Sequence, residues 1–358
     1  MHMVIMAGGS GTRFWPASRR AKPKQFLNIT GKNPMVVETC DRLRSLARDE
    51  EITVVLGREH LSDASEILGD RKIHLLAEPV GRNTAPCIGL AAIYIRQLGY
   101  EGPVAFMPAD HFINDTSAFV ESINEAGNIA QSGGIVTLGI VPTKPETGYG
   151  YIERSDDPYG SPNGNVFRVS AFVEKPDLET AKNYLTGGRY FWNAGIFVAT
   201  PETILNQIEQ HLPDLAQGLK RLKNSLENDS FERSIMQVYK DLEAISFDYG
   251  IMERTRDDVF VVPCECGWSD VGSWESLYEL RENDRDKDQN LCEGGPVLID
   301  CKGSFVSKAG GRMVACLGLK NCLVVDTPEA LLVADLGRSQ EIKRIVEQLK
   351  KEQKEELL

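Results

Sequence analysis

The sequence predicts an α/β fold with a mostly parallel sheet, followed by a small β module and a terminal helix. Over roughly the first 140 residues, short apolar runs alternate with amphipathic helical patterns, which is typical of a mostly parallel sheet with helices on both faces. Beyond residue 290 come closely spaced strand-like runs separated by turns. An amphipathic, charge-rich pattern at 339–357 predicts the closing helix.

The elements follow one another in a regular order. In the alternating part, strands are predicted at 4–7, 52–56, 73–77, 104–107 and 135–140, and helices at 35–46, 61–68, 84–98 and 117–131. A mixed region follows, with strand-like pieces at 149–153, 167–173 and 195–199 and two helices within 215–239. Short strands are predicted at 296–299, 304–307, 313–317, 322–326 and 330–334. The charged stretch 282–290 is interpreted as a linker between a large domain, 1–285, and a small module, 286–358.

Composition restricts the class of protein. The 358 residues are 42% hydrophobic and 26% charged, which suits a globular chain with a sizeable core. The net charge of -12 argues against nucleic-acid binding, and no apolar run approaches the roughly 20 residues of a membrane span. The apolar start at 1–11 has no basic leader, so it predicts a first core strand and a cytoplasmic protein. If the substrate is an anion, basic residues must be concentrated at its site.

The eight cysteines are scattered, and reduced, buried thiols are expected. Cys264 and Cys266 form a C-x-C pair, but no second pair stands at a spacing suited to zinc.

A glycine-rich loop follows the first predicted strand. Gly8, Gly9 and Gly11 allow backbone amides to approach phosphate closely, although a tight turn without a ligand is an equal alternative. A dinucleotide fingerprint fails because Phe14 stands at its last glycine, and a P-loop fails because Arg13 replaces its second glycine.

Cations accompany this loop. Arg13 and Lys24 suit a polyphosphate, whereas Lys22 is interpreted as a solvated surface lysine. Several cations beside a loop of backbone amides are what a triphosphate requires.

The string GGSGTRFWP at 8–16, followed by PKQ at 23–25, resembles the signature of sugar-nucleotide pyrophosphorylases, in the variant of the mannose-1-phosphate guanylyltransferases. The resemblance continues along nearly the whole chain. It implies a Rossmann-like nucleotidyltransferase domain with a mixed, mostly parallel sheet and a C-terminal β-helix-like tail. The residues it implies for nucleotide binding are Ala7, Gly8, Gly9, Ser10, Gly11, Thr12, Glu78, Pro79, Asn83 and Thr84.

Segment 78–86 has two interpretations. Locally, Asn83 or Thr84 caps the helix that follows, and this is the interpretation that the sequence alone favours. The resemblance implies that Glu78 and Asn83 form hydrogen bonds with the edge of guanine.

Two aspartates are implied to bind a metal. Asp110 follows a predicted strand, where an aspartate is often only a turn former. The resemblance pairs it with Asp270 to hold Mg²⁺, and Mn²⁺ also suits oxygen ligands. Together with Arg13 and Lys24, these aspartates are the predicted catalytic residues, while His111 is interpreted as a residue that supports the ligands or the structure and not as a ligand itself.

The sugar phosphate is assigned to three further segments. Gly148 and Tyr149 are implied to line the sugar, and an ordinary turn entering a strand is the alternative. Glu174 and Lys175 form either a surface ion pair of little energetic value or, by resemblance, the ligands of a sugar hydroxyl and the sugar phosphate. Asn193 is implied to bind another hydroxyl. For Asp248, a helix N-cap and a role in the site have equal weight.

The resemblance implies that GMP is transferred from GTP to mannose 1-phosphate, giving GDP-mannose and pyrophosphate. The alternatives are a pyrophosphorylase for another nucleotide and sugar phosphate, a catalytically silent sensor or subunit, and a dehydrogenase, which the failed fingerprint disfavours. Longer family members carry a cupin-like isomerase domain, and since this chain ends at Leu358, isomerase activity is not expected. The tail is expected to support a homodimer or only to cap the domain.

Overall fold

The computed structural model describes residues 1–9, 11–160, 164–225, 231–255 and 258–358. Two compact units are present. The first, called the sheet unit below, comprises 1–8, 39–109 and 113–268. The second, called the loop unit, comprises 9–38, 110–112 and 269–358. The predicted division between 285 and 286 remains a prediction.

The sheet unit contains one nine-stranded sheet. Its strands are β1 His2–Ala7, β2 Ile52–Gly57, β3 His74–Glu78, β4 Val104–Pro108, β6 Ile135–Ile140, β7 Gly150–Pro158, β8 Phe167–Glu174, β9 Tyr190–Ala199 and β10 Val259–Cys264, while the short strands β5 Phe112–Ile113 and β11 Trp268–Ser269 contain residues of both units. The order is β3-β2-β1-β4-β9-β6-β10-β8-β7. The β3-β2-β1-β4 half and the β6–β10 pair are parallel, and β9 runs antiparallel to β4, β6 and β7, so the predicted mixed sheet is confirmed.

The helices follow the strands as the alternation predicts. They are α1 Met35–Arg42, which contains residues of both units, α2 Leu61–Leu68, α3 Thr84–Gln97, α4 Thr116–Ala130, α5 Leu178–Gly187, α6 Pro201–His211, α7 Pro213–Lys223 and α8 Phe231–Asp241. Side chains of Asn83, Asp115, Asp177 and Thr200 accept hydrogen bonds from backbone amides at the starts of α3, α4, α5 and α6. Helix α3 is buried along most of its length, as a helix between the sheet and other helices must be.

The loop unit has its own core. Its strands are β12 Leu291–Glu293, β13 Val297–Ile299, β14 Phe305–Lys308, β15 Ala315–Leu317, β16 Cys322–Asp326 and β17 Leu331–Asp335, and its helices are α9 Trp274–Leu280 and α10 Lys343–Lys351. Phe14 and Trp15, beside the glycine loop, pack in one apolar cluster with Phe305, Ile342 and Val346 of the C-terminal region. The Trp15 indole nitrogen also donates to the Leu357 carbonyl at 2.8 Å. Residues near both ends of the chain therefore form one core in this unit.

The structure differs from the prediction in the bounds of some elements. The predicted helix at 339–357 consists of a 3₁₀ segment, Leu336–Ile342, then α10, then a short 3₁₀ turn, Glu355–Leu357. The predicted strand at 195–199 begins earlier, at Tyr190, because its first residues pair with β7. Six of the eight cysteines are buried. Among the described residues, no helix is long and apolar enough to cross a membrane.

Candidate active site

The glycine loop requires glycine most clearly at Gly11. Its φ of 59° is left-handed, and a Cβ there would lie 2.4 Å from Cβ of Lys24, so a side chain could not fit. Ser18 donates to the Gly11 carbonyl, and the Phe14 amide donates to it at 3.0 Å, which starts the short 3₁₀ turn Thr12–Phe14. The predicted residue Ser10 lies outside the described residues.

Lys24 is the central contact of the loop unit. Its side chain is only 4% exposed, yet its ammonium donates to the Asp110 carboxylate at 2.9 Å, to the Asp110 carbonyl at 3.1 Å and to the Asp270 carbonyl at 2.7 Å. The ammonium has three N–H donors, so all three are engaged. One buried lysine therefore holds the two predicted metal-binding aspartates together.

The two carboxylates differ in their surroundings. Burial would raise the pKa of Asp110, but the Lys24 ammonium and His111 outweigh it and hold that pKa below its ordinary value. The Asp270 carboxylate accepts a hydrogen bond from the Gly272 amide at 3.0 Å. Between these two residues Val271 has a φ of 44°, which is rare for a β-branched residue and is typical of strained functional sites.

These side chains line one cavity of about 380 Å³, which the structure places entirely within the loop unit. Besides Asp110 and Asp270, its charged lining consists of Arg13, Lys24 and Lys343. Three positive and two negative side chains make the lining net positive, in a chain whose net charge is -12. Basic residues are concentrated around this cavity, as the sequence leads us to expect for a site that binds an anion, and they include Lys343, which no sequence pattern indicated.

The residues present fit a divalent cation. Mg²⁺ prefers carboxylate oxygens, needs only one or two of them from the protein, and completes its shell with water and phosphate. Asp110 and Asp270 provide two carboxylates lining one cavity, and among the described residues no group of three or more acidic, histidine or cysteine side chains is arranged to hold a metal. The donor set therefore suits a metal that also binds a substrate phosphate.

In the sheet unit, Glu78 ends β3 and is only 3% exposed. Its Oε1 atom has no hydrogen-bond partner among the described residues, and its Oε2 atom lies 3.7 Å from where a Cβ on Gly8 would stand. Burial raises the pKa of Glu78 to about 7, although hydrogen bonds with Tyr239 and Cys87 oppose the rise. An unsatisfied buried acceptor beside a glycine loop is a candidate ligand site.

Local capping explains much of the following segment. The Asn83 side chain accepts from the Thr84 amide at 2.9 Å at the start of α3, as the local pattern favours. The Thr84 hydroxyl accepts from the Phe247 amide at 2.8 Å, and the Ala85 amide donates to the Ile245 carbonyl. Segment 83–85 is thereby fixed against segment 245–247. The predicted roles of Asn83, Thr84 and the half-buried Pro79 in nucleotide binding remain predictions.

The structure brings two of the sugar segments together. The Lys175 amide donates to the Tyr149 carbonyl at 3.2 Å, and Gly150 pairs with Glu174 between β7 and β8. Lys175 has a φ of 46°, an uncommon conformation for a lysine. The Tyr149 ring lies edge-on against two tryptophans, Trp192 and Trp268. Gly148 precedes this pair in an exposed turn, and the side chain of Glu174 lies outside the described part of the structure.

Asn193 and Asp248 form a further pair. The Asn193 amide donates to the Asp248 carboxylate at 2.6 Å, and its oxygen accepts from the Gly195 amide at 2.9 Å. Asp248 opens a π-helical turn, Asp248–Met252, whose N-cap position is occupied by Phe247 without a side-chain cap. The capping interpretation of Asp248 is therefore wrong, and its contact with Asn193 joins it to a predicted sugar-binding residue.

The fold and the comparisons with known proteins place the chain in the class of α/β nucleotidyl transferases. The sequence profile of the nucleotidyl transferase family matches residues 2–287, and that of a mannose-phosphate isomerase/GMP-like β-helix domain matches residues 294–349. Because the first match covers most of the chain, the chain belongs to the nucleotidyl transferase family. Members of this family typically use a divalent metal.

Individual relatives indicate which branch of the family the chain resembles. The chain is 37% identical over 355 residues to the mannose-1-phosphate guanylyltransferase of Escherichia coli K12, covering 98% of this chain and 73% of that protein. It is 40% identical over 351 residues to the xanthan biosynthesis protein XanB of Xanthomonas campestris, covering 97% of this chain and 73% of that protein. A crystal structure described as mannose-1-phosphate geranyltransferase from Thermus thermophilus superposes with a TM-score of 0.86 at 33% identity, covering 98% of this chain and 99% of the other. The resemblance to mannose-1-phosphate guanylyltransferases and the predicted fold class are thereby confirmed.

Proposed function

We propose that this chain transfers GMP from GTP to mannose 1-phosphate, giving GDP-mannose and pyrophosphate. The observation that carries the proposal is the Lys24 ammonium, which joins Asp110 to Asp270 in a cavity that Arg13 also lines. Paired carboxylates for a metal and cations for phosphate are what a metal-assisted phosphoryl transfer requires. The names of the relatives direct the choice of substrates.

The chemistry is a displacement at the α-phosphorus of GTP. A phosphate oxygen of mannose 1-phosphate forms the new bond, the bond from the α-phosphorus to the bridging oxygen breaks, and pyrophosphate leaves with that electron pair. The attacking oxygen is already ionised at neutral pH, so no general base is needed. A divalent metal held by Asp110 and Asp270, Mg²⁺ by preference or Mn²⁺, would supply positive charge at the reacting phosphates.

The chain's own residues position the reactants and stabilise charge. Arg13 is exposed in the cavity and its guanidinium makes no hydrogen bond or ion pair with the described residues, so it is available to phosphate. Lys24 fixes the two aspartates, and any further contact with the α-phosphate would replace one of its three present acceptors. The amides of Gly9, Gly11 and Thr12 complete the phosphate ligands in this proposal.

Substrate choice is assigned to the sheet unit. The unsatisfied Oε1 atom of Glu78 is an acceptor for the N–H groups of guanine, which adenine does not present in the same arrangement. Tyr149 and Asn193 are assigned to the sugar, with Asp248 orienting the Asn193 amide. Lys175, whose backbone is held by Tyr149, is assigned to the sugar phosphate.

Two further proposals concern the cellular location and the oligomeric state of the enzyme. We assign it to the cytoplasm, as the sequence analysis predicts. We also assign it a homodimeric state, supported by exposed apolar side chains on β13 and β15: Val297, Ile299 and Leu317. Size-exclusion chromatography with light scattering tests the second assignment, because a mass near 40 kDa at all concentrations would contradict it, given the 39.7 kDa chain.

A panel of substrate pairs tests the reaction itself. Pyrophosphate release is measured with Mg²⁺ for GTP, ATP, UTP and dTTP, each combined with mannose 1-phosphate or glucose 1-phosphate. Fast release only with GTP and mannose 1-phosphate supports the proposal in full. Release with another pair keeps the reaction class and contradicts the assignment of Glu78 and Asn193. If no pair gives release, a sensor or subunit is favoured. In all of these assays, Asp270→Asn is the matched inactive control.

A further inference from the structure

Lys343 is a basic residue of the C-terminal region that no sequence pattern connects with the glycine loop. It is the first residue of α10, is exposed, and lines the same cavity as Arg13, Lys24, Asp110 and Asp270. Its position in the amphipathic closing helix predicts nothing more than a solvated lysine. Its place in the cavity asks for a different explanation.

The pairing of its neighbours makes Lys343 unusual. On one side Arg338 and on the other Arg344 both form ion pairs with Glu341, at 2.8 and 2.7 Å. The side-chain ammonium of Lys343 forms no hydrogen bond or ion pair within the part of the chain that the structure describes, although its backbone amide donates to the Glu341 carbonyl. A charge balanced by no neighbour and facing a cavity is available to a ligand of opposite sign.

The backbone around Lys343 is firmly held next to the loop. Ile342 is 2% exposed and Val346 is 4% exposed, and both belong to the apolar cluster that contains Phe14 and Trp15. The 3₁₀ segment Leu336–Ile342 and α10 both pack against the turn Thr12–Phe14. The backbone that carries Lys343 is thus already ordered, so contact with a ligand has to order only the lysine side chain.

The charged side chains that line the cavity have different partners. Lys24 uses all three donors on Asp110 and Asp270, and those two aspartates suit the metal. The cations left for a phosphate chain are Arg13 and Lys343. The pyrophosphate portion of a nucleoside triphosphate carries several negative charges at neutral pH and gains one more as it departs, so a single arginine leaves much of that charge uncompensated.

We propose that Lys343 binds the β- and γ-phosphates of the nucleotide and, with Arg13, the pyrophosphate that leaves. This inference rests on the proposed function and adds a specific task for the C-terminal region, which becomes part of the catalytic machinery. The ligand class is a polyphosphate. No bond is made or broken at Lys343 itself, because it stabilises charge that develops on the leaving oxygen.

The test compares Lys343→Met, which keeps the apolar stem, with Lys343→Arg, which keeps the charge. The matched control is Lys350→Met, an exposed lysine farther along the same helix and outside the cavity lining. Loss of one charge-assisted contact corresponds to roughly 10-fold or more in affinity. We therefore expect Lys343→Met to weaken binding of inorganic pyrophosphate about 10-fold in isothermal titration, and to raise the KM for GTP by a similar factor.

The KM for mannose 1-phosphate should change less than about 2-fold in the same variant, since that substrate lacks the β- and γ-phosphates. Lys343→Arg should restore most of the affinity, and Lys350→Met should match the wild type. Pyrophosphate affinity in Lys343→Met within about 2-fold of wild type would overturn the inference, as would an equal loss in Lys350→Met. The titration needs no turnover, so it separates failure of this inference from failure of the proposed reaction.

Discussion

The buried Glu78 allows a quantitative prediction about stability and pH. Its pKa in the folded protein is about 7, compared with 4.5 as its ordinary value. Between these two pH values, the folded protein keeps a proton on Glu78 that the unfolded chain has released. Stability from this group is therefore fully present below about pH 4.5 and is lost as pH rises towards 7, the reverse of the usual carboxylate.

The magnitude follows from the size of the shift. One pKa unit corresponds to about 1.4 kcal/mol, so a rise from 4.5 to about 7 implies that about 3 kcal/mol is lost across this interval. Burial also raises the pKa of the adjacent Cys87 and Tyr239 above 9.0 and 10.0 respectively, so both stay protonated throughout. Glu78 is only 3% exposed, so solvent screens this effect little.

The perturbation is Glu78→Gln, which keeps the shape and removes the titration. Urea unfolding followed by circular dichroism at pH 4.5, 6, 7 and 8 gives the free energy of unfolding of each protein. Relative to wild type, the free energy of unfolding of the variant should increase by about 3 kcal/mol between pH 4.5 and 8. Most of this increase should occur below pH 7. Glu66→Gln, at an exposed position on α2, is the control and should keep the wild-type pH profile. Parallel profiles for Glu78→Gln and wild type would refute the reasoning.

Three further predictions concern the loop unit and the sugar phosphate. Asp110→Asn and Asp270→Asn should each lower turnover about 100-fold or more. Asp110→Asn alone should also lower the melting temperature, because Lys24 contacts the side chain of Asp110 but contacts Asp270 through its backbone carbonyl. Equal melting temperatures for the two variants would contradict this. Lys175→Ala should raise the KM for mannose 1-phosphate roughly 10-fold and leave that for GTP nearly unchanged, so an unaltered response to mannose 1-phosphate would remove Lys175 from that site. Ile342→Ala should lower the free energy of unfolding in urea by about 2–5 kcal/mol and raise the KM for GTP, because it loosens the core that supports Lys343. A destabilised variant with normal GTP kinetics would show that this core does not position the phosphate site.

Much of the sheet unit was predictable because its signals are local. Strand β1 and helix α3 follow directly from apolar periodicity, and Asn83 caps α3 as its residue type predicts. The antiparallel insertion of β9 between β4 and β6 was not predictable in this way. Strand order depends on pairing between distant segments, which periodicity does not report.

The candidate site was only partly predictable for the same reason. The sequence located Arg13, Lys24, Asp110 and Asp270, chiefly through the resemblance of short motifs to a known family. It gave no indication that Lys24 would bond to both aspartates, since that depends on three segments meeting at one ammonium group. For Asp248, local pattern left a cap and a site role equally open. The cap is excluded because Phe247 occupies the N-cap position of the turn and Asp248 is its first residue.

By itself, the sequence determined the α/β class, the glycine loop, the family and the chemical identity of the charged groups, because each of these depends on residues that are close together in the chain. The tertiary structure alone decided which charges meet and which stay unpaired. Lys343 lines the cavity of Arg13 because Ile342 and Val346 share a core with Phe14, and Glu78 titrates near pH 7 because the fold buries it. Both effects arise from the exclusion of water and from contacts between residues far apart in the chain, which no local pattern contains.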